Sequence, residues 1–168
     1  MNNRLVVSFF ILLALTVPQV GVMSSMAADA LPTAKSRLVA AAAEARRWQA
    51  DAILVAVETS TAEPDGSAYS WMYLYSSQAG KQQAAVIVDE KGEVTLMPSP
   101  ATAFRKPLGE FVDSPMAMAA AIAAGMKTNN FGMKMSLTTS ERAEWFMSDR
   151  DYGYTIDAVT GKFVRKEE

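Results

Sequence analysis

The chain has 168 residues, 16 basic and 18 acidic side chains, a net charge of −2, and neither histidine nor cysteine. Those two absences exclude Ser-His-Asp and Cys-His nucleophile systems, imidazole- or thiolate-bound zinc, disulfides and a cysteine-linked lipid anchor. The mild acidity leaves no basic footprint for nucleic acid and no polybasic patch for an anionic lipid surface.

The first segment, "MNNRLVVSFFILLALTVPQVGVMSSMAADA", has the layout of a secretory signal. Arg4 supplies a positive start, Leu5 to Val17 an apolar run, and Ser25-Met26-Ala27 the small-x-small cleavage pattern. Pro18 ends the apolar run well short of the roughly 20 residues that span a bilayer. The expectation is cleavage near Ala27, removing 1–27, and a secreted or periplasmic chain with no stable membrane insertion afterwards. Such a chain must be stabilised by packing alone.

After the signal, "LPTAKSRLVAAAAEARRWQADA" predicts a helix from about Ala34 to Gln49, with Thr33 or Ser36 as N-cap. Leu38, Ala41, Ala45 and Trp48 share a face at helical spacing, and the small side chains permit close approach to a sheet. "AILVAVE" reads as a strand, and Pro64-Asp65-Gly66 as a turn. "YSWMYLY" is a second strand, and "QQAAVIVDEKGEVTLM" gives two more around Glu90-Lys91-Gly92. "PSPATAFRKPLGEF" is proline-rich and aperiodic, a linker by composition. The order then begins again. Asp113 or Ser114 caps a helix with Pro115 in its first turn and Gly125 at its end. "FGMKMSL" and "RAEWFMS" follow as strands, and "YGYTIDAVTGKFV" as a hairpin.

Laid side by side, the halves run in the same order, with Trp71 matched to Trp145. The predicted fold class is therefore α+β, in two repeated units that each pack a short helix on an antiparallel β-sheet. Unit 1 covers 28–97, a linker 98–112, and unit 2 113–168. The linker is long enough for the units to fold face to face.

The closing "TIDAVTGKFV" resembles the last hairpin of a PepSY domain, and "AMAAAIAAGM" is similar to that family's first helix. The likeness is clearer in the second half; the first has Asp89-Glu90-Lys91-Gly92 where the signature would stand. The resemblance implies a helix on an antiparallel sheet, a secreted or envelope location, and a non-catalytic role that includes modulation of thermolysin-like peptidases. It transfers no active-site residue. The residues also explain the motif structurally: Asp157 and Thr160 can bond the turn backbone, and Gly161 can take positive φ.

Three groups of residues invite a functional reading. Tyr69, Trp71, Tyr73 and Tyr75 alternate along one strand face, with Met72 and Leu74 on the other. Burial of large aromatics is the commoner outcome, but the expectation is that burial is incomplete and that Trp71, Tyr73 and Tyr75 bind an extended peptide of a protein partner. Met116, Met118, Met126, Met133 and Met135 are a thioether cluster that suggests Cu(I), although Met116 and Met118, two apart on a helix, point to different faces. Core filling explains them better. Asp149, Asp151, Glu63 and Asp65 are too few for a calcium loop. The sequence thus points to an exported, non-enzymatic, peptide- or protein-binding chain without metal or cofactor. A structural role in envelope assembly through sheet edges is the alternative, with methionine-based copper binding behind it.

Overall fold

The computed structural model describes residues 30–100, 106–128, 134–139 and 142–168; the expected signal, Met133 and the middle of the expected linker lie outside them. Helix α1 (Leu38–Trp48) is followed by strands β1 (Ile53–Thr59), β2 (Ser70–Ser77), β3 (Gln82–Asp89) and β4 (Val94–Pro100). Helix α2 (Ser114–Ala123) is followed by β5 (Lys134–Thr139), β6 (Ala143–Ser148), β7 (Gly153–Asp157) and β8 (Phe163–Glu167).

The eight strands of the described residues form one antiparallel sheet in the order β4-β3-β2-β1-β5-β6-β7-β8. This overturns the expected pair of separate helix-on-sheet units. The halves do not stack face to face. They join edge to edge, where Ala56–Thr59 of β1 pairs with Met135–Thr138 of β5. The physical reason is the exposed ladder that each four-stranded meander would otherwise present at its first strand. Pairing the two edges satisfies both rows of N–H and C=O groups at once.

Period-two alternation then decides what the sheet buries. Val88, Trp71, Val86, Tyr73, Val57, Leu137, Trp145 and Ile156 occupy directly opposed positions along the strands, so they share one face. All eight are buried, in one cluster with Ala41 and Ala45 of α1 and Ala117, Met118 and Ala121 of α2. Both helices therefore lie on the same side of the sheet, α1 over β2–β4 and α2 over β6–β7. Alanine at the contact positions lets each helix settle close to large aromatic side chains below it.

Two local expectations change. α1 begins at Leu38, because Thr33 and Ser36 bond to each other rather than cap a helix: the Thr33 N–H donates to Ser36 Oγ at 2.9 Å, and Ser36 Oγ donates to the Thr33 carbonyl at 2.9 Å. β4 runs on through Pro98 and Pro100, inside the expected linker, which proline permits on an edge strand. α2 is as read, with Asp113 as N-cap accepting from the Ser114 N–H.

Candidate binding face

Trp71, Tyr73 and Tyr75 lie on the helix-covered face. Trp71 and Tyr73 are fully buried, and Tyr75 is 3% exposed. The Trp71 indole N–H donates to the Pro32 carbonyl at 2.9 Å, and the Tyr73 hydroxyl to the Ala34 carbonyl at 2.7 Å. The segment before α1 thus covers their polar tips. Burial, with the neighbouring Tyr75 and Asp113 adding to it, pushes the Tyr73 hydroxyl far above its ordinary pKa. A partner docking on the folded surface does not reach the Trp71 and Tyr73 rings. Tyr69, outside β2, is 56% exposed.

The opposite face carries no helix among the described residues. Ile87, Met72, Glu58, Ser136 and Phe146 stand opposite one another in successive strands β3, β2, β1, β5 and β6. They line an open hollow of about 510 Å³, completed by Lys134 and by Ser60, Ser70 and Ser148. Met72 and Ile87 are half-buried and Phe146 is 38% exposed, so the floor is apolar at its two ends, with Glu58 and Ser136 between them, and partly open. Glu58 and Lys134 bring one charge of each sign, and neither forms an ion pair among the described residues. The arrangement suits side chains of an extended chain laid across the strands.

Phe146 is held by a specific device. Its ring lies where a Cβ on Gly153 would stand, with Cε2 and Cζ each 2.7 Å from that position. Glycine in β7 lets the ring lie flat on the neighbouring strand at the border of the hollow.

Among the described residues, Glu58 is the one carboxylate that lines the hollow. Asp89 accepts from the N–H groups of Lys91 at 3.0 Å and Glu93 at 2.8 Å, closing the β3–β4 turn, and does not bond to Glu58. Asp157 does the same for β7–β8, accepting from the Thr160 N–H at 2.7 Å and hydroxyl at 2.8 Å while Gly161 takes φ +69°. Asp149 accepts from Asp151 and Tyr152 N–H groups through one oxygen and from the Lys127 N–H through the other. These carboxylates are spent on turns. Among the described residues, no group of three acidic side chains could hold a metal ion.

Met116 is exposed and packs its sulfur against the Gly161 turn, whereas Met118, Met126 and Met135 are buried in the core. Met133 lies outside the described residues. The residues that sequence reasoning passed over are Met72, Ile87 and Phe146. The signal was present in β2, where Met72 and Leu74 make the second face apolar too.

No family model, curated protein or solved structure matches this chain.

Proposed function

We propose that the chain is an exported, non-catalytic binding protein that holds an extended, apolar segment of a protein partner on the helix-free face of its sheet. The observation that carries this reading is the hollow around Met72, Ile87 and Phe146, a largely apolar floor left open by the two described helices, which both pack on the other side. Its serine rim and its two charges, which form no ion pair among the described residues, supply polar anchors for a peptide backbone. The likeness of the closing hairpin to PepSY domains agrees with a non-catalytic role and nominates a peptidase segment as the occupant.

The test is selection of random extended heptapeptides on the purified protein, repeated on Met72→Glu, Gly153→Ala and Val39→Glu. Val39 lies exposed on α1. Wild type and Val39→Glu should select the same apolar peptides. Met72→Glu should lose them, and Gly153→Ala, which displaces the Phe146 ring, should change the selected sequences. Identical selections by all four proteins would refute the reading.

A second reading, assembly through a sheet edge, rests on β8, all five of whose residues are exposed. It predicts concentration-dependent association that a proline at Val164 abolishes.

A further inference from the structure

On the helix-covered side, away from the hollow, a smaller cleft of about 330 Å³ opens between α1, the start of β1 and the segment 107–109. Leu38, Ala42, Leu54 and Leu108 form apolar walls, and Arg46 and Tyr75 bring the polar groups. The backbone that frames it is fixed: the Leu108 N–H donates to the Leu54 carbonyl at 3.0 Å. The volume is at the lower end of the range for small-molecule sites.

The Tyr75 hydroxyl is the feature that packing does not explain. It is buried and has no hydrogen-bond partner among the described residues, and the Tyr75 side chain is part of the lining of this cleft. Tyr73 and Trp71, its neighbours along the same strand face, each donate to a backbone carbonyl, so this strand otherwise satisfies its polar tips. An orphaned buried hydroxyl destabilises the fold, a cost a bound acceptor removes. Arg46, in the last turn of α1, is exposed and forms no ion pair among the described residues. It is near enough to the hydroxyl to oppose the effect of burial, which pushes Tyr75 up to about 12. Two donors, one of them a permanent cation, therefore share a small cleft whose other walls are aliphatic.

We propose that this cleft binds a small apolar monocarboxylate, its carboxylate accepting from the Tyr75 hydroxyl and the Arg46 guanidinium and its hydrocarbon body lying among Leu38, Ala42, Leu54 and Leu108. A medium-chain fatty acid and an apolar N-acylated amino acid share this chemistry. A carboxylate fits where a neutral alcohol does not, because the guanidinium bond is charge-assisted.

The probes are octanoate, N-acetyl-leucine, octanol and octylammonium, titrated calorimetrically into the purified full-length exported protein, with methyl NMR shifts of Leu38, Leu54 and Leu108 locating the site. Either carboxylate should bind and shift those methyls, with octanol at least about tenfold weaker and octylammonium silent. Which carboxylate binds more tightly identifies the source. Arg46→Gln should weaken the carboxylate at least about tenfold, and Tyr75→Phe about fivefold. Tyr75→Phe keeps the ring and removes an unsatisfied hydroxyl, so the free protein should melt no lower than wild type. Overturning results are no binding by either carboxylate at millimolar concentration, binding that Arg46→Gln leaves unchanged, or shifts confined to methyls elsewhere.

Discussion

Trp71 and Trp145 meet edge to face, their ring centroids 6.3 Å apart and their planes at 74°. They belong to β2 and β6, which are separated in the sheet by β1 and β5. Three strand spacings and a two-residue offset in register put their backbones roughly 16 Å apart, so each ring leans inward over the central pair. Each also donates its indole N–H to a backbone carbonyl at 2.9 Å, Trp71 to Pro32 and Trp145 to Val112. Phe111 continues the stack, 6.1 Å from Trp145 at 73°. The two tryptophans therefore bolt together the halves that β1 and β5 join by hydrogen bonds.

Replacing either tryptophan by alanine should cost about 3–5 kcal/mol. The more informative experiment is a double-mutant cycle on Trp71→Phe and Trp145→Phe, followed by urea unfolding. A ring pair in contact should give a coupling energy of about 0.5–1.5 kcal/mol. Additive effects would mean that the halves are held together by the β1–β5 ladder alone.

Asp113 should prove the second joint. Beyond capping α2, it accepts from the Thr33 hydroxyl at 2.7 Å and the Lys35 N–H at 2.9 Å, while the Ser114 hydroxyl beside it accepts from the Ala34 N–H at 3.0 Å. The start of α2 thus holds the segment whose carbonyls receive Trp71 and Tyr73. Asp113→Ala should lose about 1–3 kcal/mol and raise hydrogen exchange at Ala34 and Lys35 together with the first turn of α2. Exchange rising in α2 alone would reduce Asp113 to an ordinary cap.

Gly66 should tolerate no side chain. It sits at φ +80°, and a Cβ there would stand 2.6 Å from the Ser114 carbonyl oxygen and 2.7 Å from Pro115 Cα. Both neighbours are backbone and cannot swing aside. Gly66→Ala should therefore destabilise by more than the ordinary cost of about 1 kcal/mol for a left-handed alanine, read as a fall in urea midpoint. An unchanged midpoint would show that the 64–66 turn and α2 are not in contact in solution.

The pH dependence follows from where the shifted groups titrate. Asp51, Asp65, Asp149 and Asp157 are held below the ordinary 3.8. In Asp51 and Asp157 the backbone N–H groups of Ala79 and Thr160 lead, and in Asp65 the Ser67 hydroxyl does. In Asp149 burial works upward but is outweighed by three backbone donors. The unfolded chain takes up these protons first, so the stability they contribute is present above 3.8 and lost as pH falls through the lower native values. At the alkaline end the buried Tyr73 and Tyr75 hold their protons past 10.0. Their contribution is complete below pH 10; that of Tyr75 is lost as pH rises to about 12, and that of Tyr73 goes on falling above it. With no histidine, the urea midpoint should stay level from about pH 5 to 8, and an inflection inside that window would contradict this assignment.

Much of this architecture is legible in the residues. Asp113-Ser114-Pro115 announces the start of α2, Asp157-Ala158-Val159-Thr160-Gly161 spells the β7–β8 turn, and each strand core falls on its alternating run. The joint between the halves is not legible, because "ILVAVET" reads the same whether β1 is an outer strand or pairs with β5. Nor is the fate of the aromatic strip. Trp71 and Tyr73 have the amphipathic tips expected of a binding surface, and only the return of Pro32 and Ala34, 39 residues away in sequence, satisfies them inside. The exposed hollow was half legible, since Met72 and Leu74 showed that β2 is apolar on both faces, but Ile87 and Phe146 join them only through strand register.

The most direct test of binding on the helix-free face is site-specific photo-crosslinking. A photoreactive phenylalanine is placed at Phe146, with a control at Val39, and the protein is irradiated in an extract of the cells that make it. Crosslinked peptides are then sequenced by mass spectrometry. The account predicts crosslinks from position 146 to one recurrent apolar segment of another protein, abolished by Met72→Glu, and none of that segment from position 39. Crosslinks from 146 only to this same chain, or the same partner segment from both positions, would contradict it.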